Sequence, residues 1–353
     1  MTIRDAVKSA LNEEMKRDKR VFVLSEQSDN GFKITKGVCK KYGNEGLGSA
    51  GNAIKAAFDG YHPICDFRTF KFFKQTIDQI MIAASKRNYF FKLMEENWIR
   101  VPIVLVVPSG FSDRVGVQKT RNFSKWYNRY PNLKVLAPYD CEDHKGLLKA
   151  AIRDKNPVIF LGNHRIYDSP FSITQKVLKK DFILPIGKAK IVKEGSDVTI
   201  VAYSYGVQLA LEAHEQLKKE NINAEVINLR SLRPFDFETI SKSVKKTHRL
   251  VIFEYGYSFC GISSEICIKV VKTGTSDYLD APVLRVPGDE RFLFNESNTL
   301  PTAANVVETV RKSLQKNYGD ERTFSTGDIL RKIESRNFAS WVSMLSFIIS
   351  HPT

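Results

Sequence analysis

The sequence predicts an α/β protein built from two doubly wound domains, and three observations support this. Short apolar runs bounded by turn residues alternate with segments of helical periodicity in both halves of the chain. A polar stretch without strong periodicity, residues 169–185, separates the halves as a linker. The chain has 353 residues, which is enough for two domains that each bury a core.

The first predicted domain, residues 1–168, opens with a helix. Thr2 is followed three residues later by Asp5, a pattern that resembles a capping box and predicts a helix to about Arg17. Helical periodicity or small residues predict further helices at 49–58, 75–88 and 142–153. Five short apolar runs predict buried parallel strands, at Val21–Leu24, Ile64–Phe67, Ile103–Val107, Leu133–Ala137 and Val158–Leu161.

The second predicted domain, residues 186–317, repeats the alternation. Strands are predicted at Val198–Ala202, Glu225–Asn228, Leu250–Phe253 and Val283–Val286. Helices are predicted at about 206–219, 237–243, 261–271 and 303–315. A tail, residues 318–353, has balanced charge and matches no pattern. Its apolar run, Phe338–Ser350, is shorter than the roughly 20 residues of a membrane span, so we expect no membrane association.

Composition narrows the classes of function. The formal net charge is +15, from 54 Lys and Arg against 39 Asp and Glu. No zinc-finger, RNP or helix-turn-helix pattern accompanies this charge, so we expect a basic surface and not a nucleic-acid-binding protein. The five cysteines fall at no paired or metal-ligand spacing, which indicates free thiols in a reducing compartment.

The segment Gly46–Gly51 matches the pattern GxGxxG but lacks the context of a dinucleotide site. That fingerprint must directly follow a strand. Here the polar residues Lys40 to Asn44 precede it. The better interpretation is the start of a helix rich in small residues, which can pack closely against a neighbouring surface.

Three segments carry a resemblance to a known family: PICDFRTFKFFKQTIDQIMIAASKR from Pro63, VPIVLVVPSG from Val101 and WYNRYPNLKVLAP from Trp126. They resemble the beta subunit of the first component of pyruvate dehydrogenase, a heterotetramer with an alpha subunit that uses thiamine diphosphate. The resemblance covers about residues 2–317. It implies an N-terminal pyrimidine-binding domain and a transketolase C-terminal-like domain.

This resemblance also implies an activity and a place in the cell. The expected reaction is the oxidative decarboxylation of pyruvate with acetyl transfer to lipoamide, towards acetyl-CoA, in the mitochondrial matrix. The chain has no GDG followed by an NN motif. The resemblance therefore implies that the alpha subunit holds magnesium and the cofactor's pyrophosphate, and that this chain acts only in a complex with it.

The resemblance implies that Phe72 and Gln75 bind the cofactor, with Phe72 packed against the aminopyrimidine ring. Buried aromatic side chains suit the holding of a flat ring. The family also carries a glutamate that activates the cofactor, spaced as Glu, any residue, Gly, two residues, Gly. Aligning on Gly48 and Gly51 places Gly46 at that position and Glu45 one residue early, with about ten preceding residues missing. Either Glu45 reaches the ring, or the activating carboxylate is lost.

A second departure concerns the position of the family's catalytic histidine, which holds Lys119. A lysine supplies positive charge, but its ordinary pKa near 10.4 makes it a poor proton shuttle. Loss of a positioned acid–base group typically costs about 10²–10⁴-fold in rate. Two functions therefore stay open. The first is an active beta subunit that uses Glu45 and Lys119, and the alternative is a catalytically impaired subunit that assembles with alpha or the acetyltransferase core.

Two further sites are implied. Ile103, Ala151, Asp154 and Asn156 match the family's potassium-binding positions, where backbone carbonyls hold a hard cation. From the residues alone, residues 151–157 are equally well explained as a turn that caps the preceding helix. Asp280 lies in a stretch that resembles the surface on which the dihydrolipoyl acetyltransferase core docks, where a carboxylate would pair with a basic partner.

Overall fold

The computed structural model describes residues 1–25, 50–67, 80, 101–109, 124–255, 260–286 and 301–315. Within these ranges, helices and mostly parallel strands alternate along the chain, as predicted. In the part described, no helix is long and apolar enough to cross a membrane. The predicted helix at 75–88 and the tail at 318–353 fall outside these ranges, apart from Ile80.

The first sheet has the strand order β1-β2-β3-β5-β4-β9. Its strands are β1 (Val21–Ser25), β2 (His62–Asp66), β3 (Val104–Pro108), β4 (Lys134–Leu136), β5 (Val158–Gly162) and β9 (Ser231–Arg233). All neighbouring pairs are parallel except β4 with β9. The helices of this half are α1 (Ile3–Arg17), α2 (Ala50–Phe58), α3 (Ser124–Asn128) and α4 (Cys141–Arg153).

The second sheet has the order β11-β10-β7-β8-β6. Its strands are β6 (Lys190–Lys193), β7 (Val198–Ala202), β8 (Ala224–Asn228), β10 (Leu250–Phe253) and β11 (Leu284–Val286). The pairs are parallel except β6 with β8. A short helix, α5 (Gln175–Leu178), precedes this half, and its other helices are α6 (Tyr205–Lys218), α7 (Phe237–Thr247), α8 (Ile262–Lys272) and α9 (Ala303–Leu314).

The predicted capping box at the start of α1 is present. The Thr2 hydroxyl accepts a hydrogen bond from the Asp5 backbone N–H, and the Asp5 carboxylate accepts one from the Thr2 backbone N–H. These two bonds satisfy the backbone N–H groups of Thr2 and Asp5, which have no partner within the helix. The basic residues Lys16 and Arg17 lie in the last turn, where they complement the helix dipole.

The inner strands of both sheets are buried on their two faces, which explains the continuous apolar runs in the sequence. In β3, Val104 and Val106 belong to one hydrophobic cluster, while Leu105 and Val107 belong to the other. Each cluster also contains residues of the second sheet, such as Val226 in the first and Ile227 in the second. The two halves therefore share their cores.

The strands β6 and β9 were not predicted from the sequence, whereas the five strands predicted to be parallel in the first half are parallel to one another. Residues 190–193 alternate between half-buried and exposed positions, and β9 is three residues long, so neither forms an apolar run. β9 lies within the second predicted domain but pairs with β4 of the first sheet, with Arg233 opposite Val135. Each sheet thus carries one antiparallel edge strand.

Candidate active site

Three parallel strands end side by side at one edge of the first sheet. Ser25 at the end of β1 lies opposite Asp66 at the end of β2, and Asp66 lies opposite Val106 in β3. The chain therefore leaves β1, β2 and β3 on the same side of the sheet. Ligands of open α/β sheets bind outside the carboxyl ends of the strands, which makes this edge the expected location of a site.

The predicted cofactor and catalytic residues belong to the segments that follow these three strands. Glu45 comes after β1, Phe72 and Gln75 come after β2, and Lys119 comes after β3. All four lie outside the described residues, so their positions stay predictions. The described strands bring the starting points of the three segments next to one another.

The predicted helix of small residues is present as α2, which begins at Ala50 in the described part. Its buried residues Ala53, Ile54 and Ala57 pack in the same hydrophobic cluster as Cys65 of β2 and Leu105 of β3. Small side chains on this face let the helix lie close to the sheet. The helix follows the segment that contains Glu45 and leads into β2.

A buried tyrosine lies at the end of β5, the strand next to β3. Tyr167 is 1% exposed, and its hydroxyl oxygen lies so close to the Cα of Gly162 that an added Cβ would meet it at 2.1 Å. Burial, and next the nearby Asp66 carboxylate, raise the pKa of Tyr167 above its usual range. The hydroxyl therefore stays neutral. This residue could not be identified from the sequence, because only the fold brings it to the end of β5.

The proposed potassium positions lie at the opposite, amino-terminal edge of this sheet. The Ile103 carbonyl accepts a hydrogen bond from the Val158 N–H at 2.9 Å, and the Val101 N–H donates to the Lys155 carbonyl at 3.2 Å. These bonds hold the segment before β3 against the loop that contains Asp154 and Asn156. The fold thus brings the predicted positions of the two segments together.

Asp154 organises this loop through its side chain. Its Oδ1 atom accepts hydrogen bonds of 2.9 Å from both the backbone N–H and the side-chain amide of Asn156. Its Oδ2 atom accepts a hydrogen bond from the Lys134 ammonium. The Asp154 carboxylate is therefore occupied, and a cation bound here would rely on backbone carbonyl oxygens. The carbonyl of Ala151 already accepts the Asp154 N–H at 3.2 Å, as in the helix-capping interpretation.

Such a carbonyl site suits a hard monovalent cation and not a transition metal, which prefers imidazole or thiolate ligands. Among the described residues, no group of three or more His, Cys, Asp or Glu side chains could hold a metal ion. The cysteines described, Cys65, Cys141, Cys260 and Cys267, are free thiols.

Asp280 lies on the surface, with 56% of its side chain exposed. Its carboxylate faces the Arg249 guanidinium at 3.4 Å, and its backbone N–H donates to the His248 carbonyl at 2.9 Å. The position is anchored, and the carboxylate is accessible from solvent. A partner that binds Asp280 would compete with Arg249.

A buried ion pair joins the two halves. The Arg230 guanidinium Nε donates to Asp143 Oδ1 at 2.6 Å, and the Asn228 amide donates to Asp143 Oδ2 at 2.7 Å. A second bond runs from Lys190 to Glu142 at 2.7 Å. Asp143 lies in α4, whereas Asn228 ends β8, so this network fixes the first sheet relative to the second.

A buried glutamate caps helix α8. The Glu254 carboxylate, 2% exposed, accepts a hydrogen bond from the Ser263 N–H at 2.6 Å. A Cβ on Gly261 would lie 2.0 Å from Glu254 Oε2, so glycine is required for this approach. Burial raises the pKa of the Glu254 carboxyl to about 7.

Comparisons with known proteins agree with the resemblance. The family model described as transketolase, pyrimidine binding domain, matches residues 1–169, and the model described as transketolase, C-terminal domain, matches residues 187–306. A solved structure described as a split-gene transketolase, an inactive beta4 tetramer, superposes with a TM-score of 0.70 over 89% of this chain and 98% of its own. At 20% identity it shows the shared fold alone.

Closer relatives are beta subunits of the pyruvate dehydrogenase E1 component, named as mitochondrial. The Caenorhabditis elegans protein is 50% identical across 89% of this chain and 92% of its own length. Arabidopsis thaliana beta-1 is 49% identical across 89% of each chain. The Homo sapiens protein is 40% identical across 89% of this chain and 90% of its own.

Proposed function

The chain belongs to the family of pyruvate dehydrogenase E1 beta subunits, and from that premise we propose that it forms an E1 heterotetramer with an alpha subunit. The complex would decarboxylate pyruvate oxidatively and transfer the acetyl group to lipoamide, towards acetyl-CoA. The mitochondrial names of the relatives support a location in the mitochondrial matrix. The observation that carries the proposal is identity of 40–50% to such subunits over 89% of the chain.

Thiamine diphosphate is the cofactor that a pyrimidine-binding domain implies, and it would lie between the two subunits. When bound, it supplies a nucleophilic carbon and an electron sink for decarboxylation. This chain would hold the pyrimidine half with Phe72 and Gln75, which follow β2. The alignment of the carboxyl ends of β1, β2 and β3 supports this assignment, because the segments with the proposed residues begin there.

Glu45 and Lys119 would take part in proton transfer and in the stabilisation of charge. The Glu45 carboxylate would hydrogen-bond a ring nitrogen of the aminopyrimidine and so favour the tautomer that activates the cofactor. The Lys119 ammonium would stabilise the negative charge of bound substrate, in the place of the family's histidine. Because lysine keeps its proton at neutral pH unless it is desolvated, we expect slower proton transfer than a histidine would give.

Ions and the larger assembly complete the proposal. The alpha subunit would hold magnesium with the pyrophosphate. Backbone carbonyls of Ile103, Ala151, Asp154 and Asn156 would hold potassium, which the packing of the two segments and the oxygen-rich loop support. The acetyltransferase core would dock at Asp280, whose carboxylate is accessible.

Assembly is the experiment that tests the proposal. The chain is co-expressed with the alpha partner of the Caenorhabditis elegans relative and purified with thiamine diphosphate and magnesium. The mass of the purified complex is then measured by native mass spectrometry. We expect two copies of each subunit with two cofactor molecules, and no retained cofactor for this chain alone. A chain that stays separate from alpha, or a complex that retains no cofactor, would overturn the proposal.

A further inference from the structure

Asp66, Gly162 and Tyr167 lie on one face of the first sheet, at its carboxyl edge. Side chains two residues apart in a strand point to the same face of a sheet. Asp66 follows Ile64 by two residues in β2, and Gly162 follows Phe160 by two residues in β5. Ile64 and Phe160 belong to the same hydrophobic cluster as Tyr167. Since β2 and β5 flank β3, only one strand separates Asp66 from Gly162.

Three neighbours hold the Tyr167 ring in one orientation. The Arg4 guanidinium lies over the ring, 5.4 Å from its centre, and the His164 ring meets it edge-on at a centre-to-centre distance of 5.0 Å. The hydroxyl oxygen occupies the place of the side chain that Gly162 lacks, 2.1 Å from where a Cβ would lie. A glycine at position 162 therefore lets the hydroxyl lie across the end of β5.

The charged groups around this hydroxyl make it a donor for Asp66. The Asp66 side chain is buried, and its negative charge is, after burial itself, the cause that raises the pKa of Tyr167. Arg4 acts in the opposite direction, and burial lowers the pKa of His164 to about 4, so that ring is neutral at neutral pH. A buried carboxylate is costly without hydrogen bonds, and a protonated hydroxyl supplies one directly or through a water molecule.

Asp66 lies where the chain leaves the sheet towards the proposed cofactor residues. It is the last residue of β2, and the segment with Phe72 and Gln75 follows it. The Phe67 backbone N–H donates to the Val106 carbonyl at 3.0 Å, which attaches the backbone to β3 at this point. The direction of the chain here decides where the cofactor-binding residues lie. A misplacement of about 1 Å can cost about 10²-fold in rate.

We propose that Tyr167 is a positioning residue for the cofactor. In the assembled complex its hydroxyl serves the Asp66 carboxylate as a hydrogen-bond donor, and it thereby fixes the exit of the chain from β2 towards Phe72 and Gln75. The inference rests on the proposed function, because it concerns thiamine diphosphate held by those two residues. Tyr167 and Asp66 act through the backbone of the segment and not by contact with the cofactor.

The variant Tyr167→Phe tests the proposal, because it removes the hydroxyl and keeps the ring. Tyr139→Phe is the matched control, since Tyr139 is buried in the same hydrophobic cluster but packs against the Phe171 ring. Isothermal titration of each complex with alpha, in the presence of magnesium, measures the dissociation constant of thiamine diphosphate. We expect Tyr167→Phe to raise it about tenfold, as for loss of one hydrogen bond to a charged group, and Tyr139→Phe to change it less than about twofold.

A double-mutant cycle separates positioning from a general structural role. Asp66→Asn keeps the size of the side chain and removes its charge, so it should also weaken binding of the cofactor. If the two residues act through one contact, Tyr167→Phe should add less than about twofold when Asp66 is already replaced. Effects that multiply in full would show that the residues act independently, and the proposal would be wrong.

The remaining outcomes distinguish this inference from the proposed function. If the wild-type complex retains no cofactor, the proposed function fails and the positioning role fails with it. If wild type binds the cofactor and Tyr167→Phe binds it equally well, the positioning role alone fails. Thermal unfolding without cofactor establishes that each variant is folded. A lower midpoint of Tyr167→Phe with an unchanged dissociation constant would assign the hydroxyl to stability and overturn the proposal.

Discussion

Arg230 and Asp143 form a buried ion pair between residues 87 positions apart, with Nε and Oδ1 separated by 2.6 Å. Asp143 is fully buried in α4 and Arg230 is 7% exposed just after β8. The Tyr139 N–H also donates to Asp143 Oδ2 at 3.1 Å. The Asp143 carboxylate thus helps to hold two sheets from different parts of the chain in one orientation.

Removal of this arginine should destabilise the protein strongly. Arg230→Leu leaves the Asp143 charge buried without its cation, a change that typically lowers the free energy of unfolding by about 3–5 kcal/mol. Urea unfolding measures the effect. Arg20→Leu is the control, because it removes a guanidinium from a surface pair with Asp18 and should change stability little. Equal effects of the two substitutions would contradict the structural role of Arg230.

Because the pKa of the Glu254 carboxyl is raised, the free energy of unfolding should depend on pH. Burial raises its pKa to about 7 from an ordinary value of 4.5, although Lys125 and Arg285 act in the opposite direction. The unfolded chain therefore loses this proton at lower pH than the folded chain. The contribution of Glu254 to stability should fall as pH rises from about 4.5 to 7, by at most about 3 kcal/mol.

The variant Glu254→Gln tests this dependence by urea unfolding at pH 5 and pH 7. The amide can still accept the Ser263 N–H but cannot ionise, so the variant should gain stability relative to wild type as pH rises. Glu265→Gln, an exposed position on α8, is the control and should follow wild type. Parallel pH profiles for wild type and Glu254→Gln would show that Glu254 does not titrate in this range.

A glycine substitution beside this carboxylate should also be costly. In Gly261→Ala the new Cβ would lie 2.0 Å from Glu254 Oε2, so the helix start or the carboxylate must move. Overpacking of this kind typically costs about 1–3 kcal/mol. Gly206→Ala is the matched control, since its nearest contact would be an ordinary 3.6 Å to Phe253. Thermal unfolding should show a lower midpoint for Gly261→Ala only.

Potassium should stabilise the assembled protein through the loop that Asp154 organises. At a concentration 100 times the dissociation constant, a bound ion adds about 2.7 kcal/mol to the free energy of unfolding. The effect should survive Asp154→Asn, whose side-chain oxygen can still accept the Asn156 N–H, and should disappear in Asp154→Ala. Thermal unfolding in potassium chloride and in choline chloride measures it. Equal midpoints of wild type in the two salts would contradict the site.

A histidine at position 119 should make the complex faster. A histidine exchanges its proton near neutral pH, whereas lysine does so only when its pKa is strongly lowered. We therefore expect Lys119→His to raise kcat for acetyl transfer by about 10²-fold at pH 7, the lower bound of what a positioned acid–base group contributes. Lys119→Met should lower it. A slower Lys119→His variant would show that this site depends on the ammonium group.

Much of the fold could be predicted from the sequence, since buried parallel strands leave continuous apolar runs. The strands Val198–Ala202 and Leu250–Phe253 are confirmed with their predicted bounds. The strand Ser231–Arg233 could not be predicted, because three residues carry no periodicity and their pairing with β4 depends on the packing of the two halves. Local patterns contain no information on such long-range pairing.

The candidate site could be predicted in part. The segments that begin at Pro63, Val101 and Trp126 identify the family, and the parallel order of β1, β2 and β3 is the arrangement that an α/β pattern favours. The buried positions of Tyr167, Glu254 and Asp143 could not be predicted, because each residue is polar and acquires its role only from contacts with distant segments. The sequence shows that these residues are polar, but it does not show that they are buried.

The release of carbon dioxide from the first carbon of pyruvate tests the central claim most directly. It is measured for the complex with alpha, with and without thiamine diphosphate, and for the same complex carrying Glu45→Gln. We predict release that requires the cofactor and falls at least about 10²-fold in Glu45→Gln, as expected for loss of a positioned acid–base group. An intact complex that binds the cofactor and releases no carbon dioxide would contradict the claim and indicate a catalytically impaired subunit.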